Sequence, residues 1–397
     1  MFEPVKVTED LFWVGVVDWN VRDFHGYTTI RGSTYNSYLL LDEKKVLFDT
    51  VKAGFEEELL SRISKVIPPQ EIDYLVINHI EPDHSGSFLK VVQTIKPEKI
   101  FLTRNGKLGI EAHFHTADFP FEVVKTGDKL NTGKYNLLFV ETPMIHWPDS
   151  MVTYICENEV LISQDAFGQH LATTGRFDFE VDSCVLLQET TKYYANIVLP
   201  FSPQVQKLLT KVKELKISPQ IICPDHGVIW KDKVEEVLKL YAKWSSYEAE
   251  KRVVIIYDTM WKSTELMAKA ILTGVEKQGV EAKLFRVSIS DWTELMAEVM
   301  EAKGIVLGSS TLNNNMLPTM AGFVTYMKGL RPRGKVGAAF GSFGWSGESV
   351  KHLTKVLEDM SSEVVHPGLK VKYVPRSEDL KKCEELGKLV AEKVKKA

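Results

Sequence analysis

Two histidines, a glutamate and an aspartate crowd into six residues, His79-Ile80-Glu81-Pro82-Asp83-His84, directly after the apolar run Tyr74–Asn78. Carboxylates and imidazoles at this density are poor core material, because burial without partners is costly. They are good metal ligands. Residues 79, 81 and 83 share parity, and alternate side chains of an extended backbone point the same way. Pro82 disfavours helix at Glu81. The spacing predicts three ligands converging from an extended segment, with His84 turning in beside them and Gly86 allowing a tight turn into a helix near Ser87. Three further candidates each follow an apolar strand-like run: His146 after YNLLFVE and the turn Thr142-Pro143, Asp165 after VLISQ, and His226 after QIIC and before Gly227. Side chains at the ends of different strands can meet. Together they offer four histidines, two aspartates and one glutamate, enough for two metal ions sharing one carboxylate. His113, His115 and His352 stand alone and are read as ordinary histidines.

A second constellation lies in the C-terminal part. The run Tyr257-Asp258-Thr259-Met260-Trp261-Lys262-Ser263-Thr264 ends a strand and opens a helix. Hydroxyls and backbone N–H groups at a helix N-terminus cradle phosphate. Neither GxxxxGK[ST] nor GxGxxG is present, so neither a nucleoside triphosphate nor a dinucleotide is indicated. A Ser/Thr-rich first loop points to a monophosphate, that of flavin mononucleotide (FMN), although Ser263 or Thr264 could simply cap the helix. Two later loops, Ser309-Ser310-Thr311-Leu312-Asn313-Asn314-Asn315 and Ser342-Phe343-Gly344-Trp345-Ser346-Gly347, follow strands on the same edge. Their amides and backbone can bond the polar rim of a flavin, and Trp345 and Trp261 can stack on its faces.

The elements that must hold these groups divide the chain near residue 250. Short strands are expected at Leu11–Val16, Asn36–Leu41, Lys45–Asp49, Tyr74–Asn78, Ile100–Leu102, Asn136–Glu141, Val160–Ser163 and Ile221–Cys223, separated in places by helices. This suits an αβ sandwich with sheets inside and helices outside. Apolar residues at Val234, Val237, Leu238, Tyr241 and Trp244 predict a helix over 231–250. Beyond it, strands at Arg252–Asp258, Glu281–Val287, Gly304–Ser310, Lys335–Phe343 and Leu369–Pro375 alternate with helices near 264–278, 291–302, 318–329, 346–360 and 377–395. Five βα units predict a doubly wound five-stranded parallel sheet, whose ligands bind beyond the carboxyl ends of the strands.

The 397 residues carry a formal net charge of −4 with 44% apolar and 26% charged residues, which allows two or three ordinary globular domains. The absence of a basic block gives no reason to expect nucleic-acid binding, and no apolar run is long enough to cross a bilayer. Met1-Phe2-Glu3-Pro4, with Glu9 and Asp10 close behind, does not read as a secretory signal. Cys156, Cys184, Cys223 and Cys383 form no CxxC pair, so reduced cysteines in or near the core, and a reducing cytoplasm, are expected.

The pattern HxExDH with a later His, Asp and His resembles the metal motif of the metallo-β-lactamase superfamily. In most of that superfamily the second position is His. Here it is Glu81, an anionic oxygen ligand that suits iron better than zinc. HxExDH is the form of flavodiiron proteins, and SFGWSGE (342–348) is similar to their flavodoxin domains. Their usual GSPTxNNG is matched over 308–315, except that Ser310 stands for Pro and Asn315 for Gly. DWNVRDFHGY (18–27) and KYYANIVLPFS (192–202) extend the resemblance over essentially the whole chain.

The resemblance implies a metallo-β-lactamase-like αββα sandwich over 1–250 and a flavodoxin-like FMN domain over 251–397. It implies that His79, Glu81 and His146 bind one iron, that Asp83, His84 and His226 bind the other, and that Asp165 bridges them. It implies Thr259, Met260, Trp261, Ser263, Thr264, Ser310, Thr311, Asn313, Asn314, Asn315 and residues 342–347 as the FMN site. It implies a reductase of dioxygen to water or nitric oxide to nitrous oxide, with rubredoxin as electron donor. It also implies a head-to-tail homodimer, with a tetramer as the alternative, in which the flavin of one subunit serves the irons of the other. His25, Tyr193 and Tyr194 are candidate hydrogen-bond donors beside the gas site. Two other readings stay open: a zinc hydrolase fused to a flavodoxin fold, and an electron carrier whose N-terminal domain is a metal-free scaffold.

Overall fold

A computed structural model describes residues 3–115 and 118–397, which form two compact units. The first runs to Tyr194 and resumes over Pro203–Ala242; the second takes Ala195–Ser202 and Lys243–Ala397. Asn196 explains the excursion of the short segment: its amide donates to the Thr293 carbonyl at 3.0 Å and accepts from the Tyr326 hydroxyl.

Two sheets face each other in the first unit. One has seven strands in the order Val5–Lys6, Leu11–Trp13, Tyr38–Leu40, Val46–Phe48, Tyr74–Val76, Lys99–Leu102 and Phe121–Val123. The other has five, Lys129–Asn131, Asn136–Glu141, Met151–Ile155, Val160–Gln164 and Ile221–Pro224. Period-two alternation decides which side chains meet. Tyr38, Leu40, Val46, Phe48, Val76 and Phe101 point inward against Phe139, Met151, Ile155, Ile162 and Cys223. Leu39, Leu47, Leu75, Ile100 and Leu102 point outward, against Leu59 and Ile63 of the helix Glu56–Val66 and Phe88, Val91 and Ile95 of the helix Phe88–Ile95. This is the expected sandwich with helices outside. Sequence reasoning missed Met151–Ile155, a strand buried at every position and so without alternation, and the short Phe121–Val123 and Lys129–Asn131.

In the second unit the parallel sheet runs Glu281–Arg286, Glu250–Asp258, Ala302–Ser309 and Val336–Phe343. Its fifth position is split: Glu363–Val364 and Leu369–Lys372 pair in parallel with opposite halves of Val336–Phe343. Helices Ser263–Glu276 and Ser377–Lys396 cover one face through Met267, Ile271, Cys383, Leu386 and Val390. Among the described residues no helix is long and apolar enough to cross a membrane. Cys223 and Cys383 are buried as expected, Cys156 is half-buried, and Cys184 is exposed.

Gly86 sits where the metal run turns into the helix Phe88–Ile95. Its backbone is right-handed helical (φ −60°), so positive φ is not the reason for glycine. A Cβ there would lie 2.3 Å from the Pro82 carbonyl oxygen and 2.7 Å from the Ala53 nitrogen, both backbone atoms that cannot step aside. Gly86→Ala should lower the unfolding free energy of the ion-free protein by about 1–3 kcal/mol through overpacking, measured by denaturant titration. An unchanged midpoint would contradict this contact.

Candidate metal centre and flavin cleft

Four strand ends deliver the seven predicted ligands to one place. His79 and Glu81 follow Tyr74–Val76, His146 lies in the loop after Asn136–Glu141, Asp165 ends Val160–Gln164, and His226 follows Ile221–Pro224. The expected extended run stops early. Glu81 is extended (φ −55°, ψ 141°), but Pro82–Ser85 forms a helical turn with Pro82 in its first position, where its fixed φ suits helix and no N–H is needed. Asp83 and His84 are therefore presented by a helix. That change of backbone aims them at a different point from His79 and Glu81.

The ligand atoms fall into two groups, His79, Glu81, His146 and Asp165, and Asp83, His84 and His226. In the first, His146 Nε2 lies 3.1 Å from Glu81 Oε2 and 2.9 Å from Asp165 Oδ2, and His79 Nε2 lies 3.3 Å from each of those oxygens. In the second, Asp83 Oδ2 lies 3.3 Å from His84 Nε2 and 3.0 Å from His226 Nε2. The other oxygen of Asp165, Oδ1, lies 3.2 Å from His84 Nε2 and 3.4 Å from His226 Nε2. Two ligands bonded at about 2.1 Å to one ion, at angles of about 90–110°, stand about 3.0–3.4 Å apart. Each group has that spacing, and Asp165 offers one oxygen to each. Neither oxygen of Asp83 has a hydrogen-bond partner although both are buried. An ion would satisfy them, so the residues fit a pair of metal ions.

The outer nitrogens are held so that the inner ones face the centre. Asp149 Oδ2 lies 3.0 Å from His79 Nδ1 and accepts from Ile80 N at 2.9 Å. His226 Nδ1 donates to the Thr34 carbonyl at 2.6 Å, whereas His84 Nδ1 lies 3.7 Å from Asp225 Oδ2, beyond hydrogen-bond distance. Such partners set the tautomer and ring orientation of ligating histidines. Asp49 pins the strand end, accepting from Asn78 N and Nδ2 at 2.7 Å each. Sequence reasoning missed Asp49, Asp149 and Asp225. Asp149 stands three residues past His146, and the adjacency of Asp225 to His226 was the available signal.

Burial opposes a charged imidazolium at His84, but the carboxylates of Asp83, Asp165 and Asp225 outweigh it and push its pKa to about 10. Burial likewise opposes charge at His146, yet hydrogen bonds to Asp165 and Glu81 raise it to about 9. Asp165 is held well below the carboxylate range, against its burial, by His84, His146 and His79. In the ion-free site protons supply the positive charge that ions would bring.

Of the candidate donors, His25 sits in a two-residue hairpin turn with Gly26 (φ 56° and 87°), and its Nε2 lies 2.8 Å from Glu81 Oε1. Tyr193 hydrogen-bonds Asp165, with its ring against His170. Tyr194 turns the other way and packs edge-on against Tyr241, so Tyr193 is the tyrosine facing the centre.

In the second unit the strand ends enclose a cleft of about 490 Å³, within the range of small-ligand sites. Met260, Trp261, Ser263, Ser310, Thr311, Ser342, Phe343, Gly344 and Trp345 line it as expected, joined by Leu312, Tyr373 and Val374. Trp261 and Trp345 are 89% and 69% exposed at its rim, unusual for tryptophan and available for stacking. Beneath lie three buried hydroxyls in mutual contact: Thr264 Oγ1 is 2.9 Å from Ser310 Oγ and 2.8 Å from Ser342 Oγ. Thr259, Asn313, Asn314, Ser346 and Gly347 flank the cleft without lining it. Asn313 and Asn314 take the left-handed positions (φ 50° and 59°) of a tight hairpin between Thr311–Leu312 and Asn315–Met316. Asn315, which stands where the family pattern has glycine, lies in the strand Asn315–Met316, with its side chain bonded to His352. An apolar slot with a hydroxyl floor at a helix N-terminus fits a flavin phosphate and ring.

An entering ion must displace the protons on His84 and His146. Apparent affinity for a divalent ion should rise between about pH 6 and pH 9, and loading at neutral pH should release protons, read by calorimetry in buffers of different ionisation enthalpy. The raised histidine pKa values stabilise the ion-free fold below the ordinary histidine range. That contribution is lost as pH rises through about 9 and about 10. Affinity independent of pH would contradict the assignment.

Residues 34–227 match the ODP family beta lactamase domain and residues 255–387 match flavodoxin. The chain is 42% identical to a nitric oxide reductase of Moorella thermoacetica, covering 99% of this chain and 100% of that one. It is 42% identical to the rubredoxin-oxygen oxidoreductase of Megalodesulfovibrio gigas, covering 99% and 98%. Among solved structures, the rubredoxin oxygen:oxidoreductase of Desulfovibrio gigas superposes with a TM-score of 0.97 at 42% identity over 99% of both chains. The flavodiiron protein of Giardia intestinalis superposes with 0.96 at 32% identity over 100% of this chain and 98% of that one. With both domain types in this order and relatives matched over their full length, the chain belongs to the flavodiiron protein family.

Proposed function

We propose that this protein reduces dioxygen to water, nitric oxide to nitrous oxide, or both. A rubredoxin-like protein would be the electron donor, and FMN and a pair of irons would be the cofactors that the chain holds. The observation that carries the reading is Asp165, whose two oxygens face two separate ligand groups at 2.9 Å from His146 and 3.2 Å from His84. His79, Glu81 and His146 would hold one iron and Asp83, His84 and His226 the other, with Asp165 offering an oxygen to each group. When bound, the irons supply redox chemistry on a diatomic gas and FMN supplies single-electron transfer. Glu81, an anionic oxygen ligand, makes the donor set harder and favours iron over zinc.

The chain's own groups serve the reaction by position and proton supply. The His25 side chain is 62% exposed while its Nε2 bonds Glu81 Oε1, so it links solvent to the ligand shell. Tyr193, fully enclosed, donates to Asp165. In the cleft, Trp261 and Trp345 would stack on a flavin ring, and the helix at Ser263 would take its phosphate. Residues 1–250 act as the iron domain and 251–397 as the flavin domain. The chains work as a cytoplasmic head-to-tail homodimer, a tetramer being the alternative. The names nitric oxide reductase and rubredoxin-oxygen oxidoreductase, borne by relatives at 42% identity, support both gases and the donor class.

Protein purified under anaerobic conditions should contain about two irons and one FMN per chain. Reduced through a rubredoxin, it should consume dioxygen, nitric oxide or both in parallel assays. Two zincs per chain with no consumption of either gas would overturn the proposal in favour of a hydrolase.

A further inference from the structure

Gln164 is the last residue of the strand Val160–Gln164, and the pairing of that strand with Ile221–Pro224 shifts register between Ile162 and Gln164. Its backbone is left-handed (φ 48°), a region that residues bearing a Cβ avoid. Its side chain is completely buried. A bulge with a strained residue at its end re-aims the next side chain along, here that of Asp165. Both polar atoms of the Gln164 amide are engaged. Its Oε1 accepts from Asp165 N at 2.6 Å, and its Nε2 donates to the carbonyl of Ile145, the residue before His146. Its backbone carbonyl accepts from Asp225 N at 2.9 Å, the residue before His226.

One residue therefore holds three separate ligand-bearing segments. Asp165 Oδ2 and His146 Nε2 come from different loops, yet they meet at 2.9 Å. The Gln164 amide is a direct link between those loops. Glutamate would keep the acceptor for Asp165 N and lose the donor to Ile145. Methionine matches the length and offers neither.

We propose that Gln164 is a positioning residue for the ion pair, setting the separation of Asp165 and His146 through its side-chain amide. This rests on the reading of the seven side chains as an iron centre. The backbone bond to Asp225 survives substitution, so the effect falls mainly on the His79–Glu81–His146 group, which depends on both His146 and Asp165, and less on the Asp83–His84–His226 group, which shares only Asp165. The loops keep other anchors, Ile145 N to the Thr142 carbonyl and Gly168 N to the Asp165 carbonyl, both at 3.0 Å, so the variants are expected to fold.

The test is anaerobic titration of the ion-free full chain with iron(II) and with cobalt(II) against a competing chelator, for the parent, Q164M and Q164E. The parent should bind two ions. In Q164M one of the two should bind about 10–100-fold more weakly, as for other outer partners of ligands, with the second changed far less. Q164E should also weaken that one ion, since its loss is confined to the Ile145 side. In an H146A background the effect of Q164M should shrink to less than half, because the variant acts through His146. FMN content and unfolding temperature check the fold of each variant. If Q164M unfolds at a lower temperature yet binds both ions as the parent does, Gln164 is an ordinary core residue and the proposal is overturned. If Q164M does not fold, Q164E carries the same test. A parent that binds no pair of ions overturns the centre itself, and this proposal with it.

Discussion

Three carboxylates and four imidazoles share one buried volume, and carboxylates this close to one another are stable only with positive charge between them. That constraint explains the surroundings. The seven ligands need a wall that cannot relax, and the sandwich core behind them, where Phe48, Phe101 and Phe139 pack between the two sheets, provides one. They also need their outer nitrogens committed elsewhere. Asp149 on His79 and the Thr34 carbonyl on His226 do this, leaving the inner nitrogens to face the ions. Asp165 is the shared element, because only a carboxylate has two equivalent oxygens to divide between two neighbours.

That these seven side chains could converge was legible because metal chemistry restricts residue type, and because strand ends are where side chains of distant segments meet. Glu81 was legible as an oxygen donor in a slot that commonly holds histidine. The geometry of Asp83 was not. Parity on an extended strand predicted its direction, whereas Pro82 opens a helical turn, and a proline favours the first helical position as much as it disfavours helix in the residue before it. The outer carboxylates were illegible for a different reason. Asp49 lies 30 residues from His79 and is brought there only by strand pairing, which local pattern does not reveal. Gln164 carried no signal at all, since a polar residue at a strand end ordinarily faces solvent.

The flavin loops show the same division. Sequence pattern pointed to strand ends that do enclose a cleft, and nine of the predicted residues line it. Tyr373 and Val374 were missed because the expected strand Leu369–Pro375 enclosed them, whereas the strand ends at Lys372 and leaves them in the loop beyond it. Asn313 and Asn314 take left-handed backbone positions in a hairpin turn beside the cleft, while Ser310 and Thr311 line it.

The most direct test is crystallographic: diffraction from anaerobically grown crystals of the full chain, recorded on both sides of the iron absorption edge. Two anomalous peaks that vanish below the edge are expected. One should be bounded by His79, Glu81 and His146 and the other by Asp83, His84 and His226, with Asp165 between them. A single peak, peaks that persist below the iron edge, or Asp165 turned away from both would contradict a shared diiron centre.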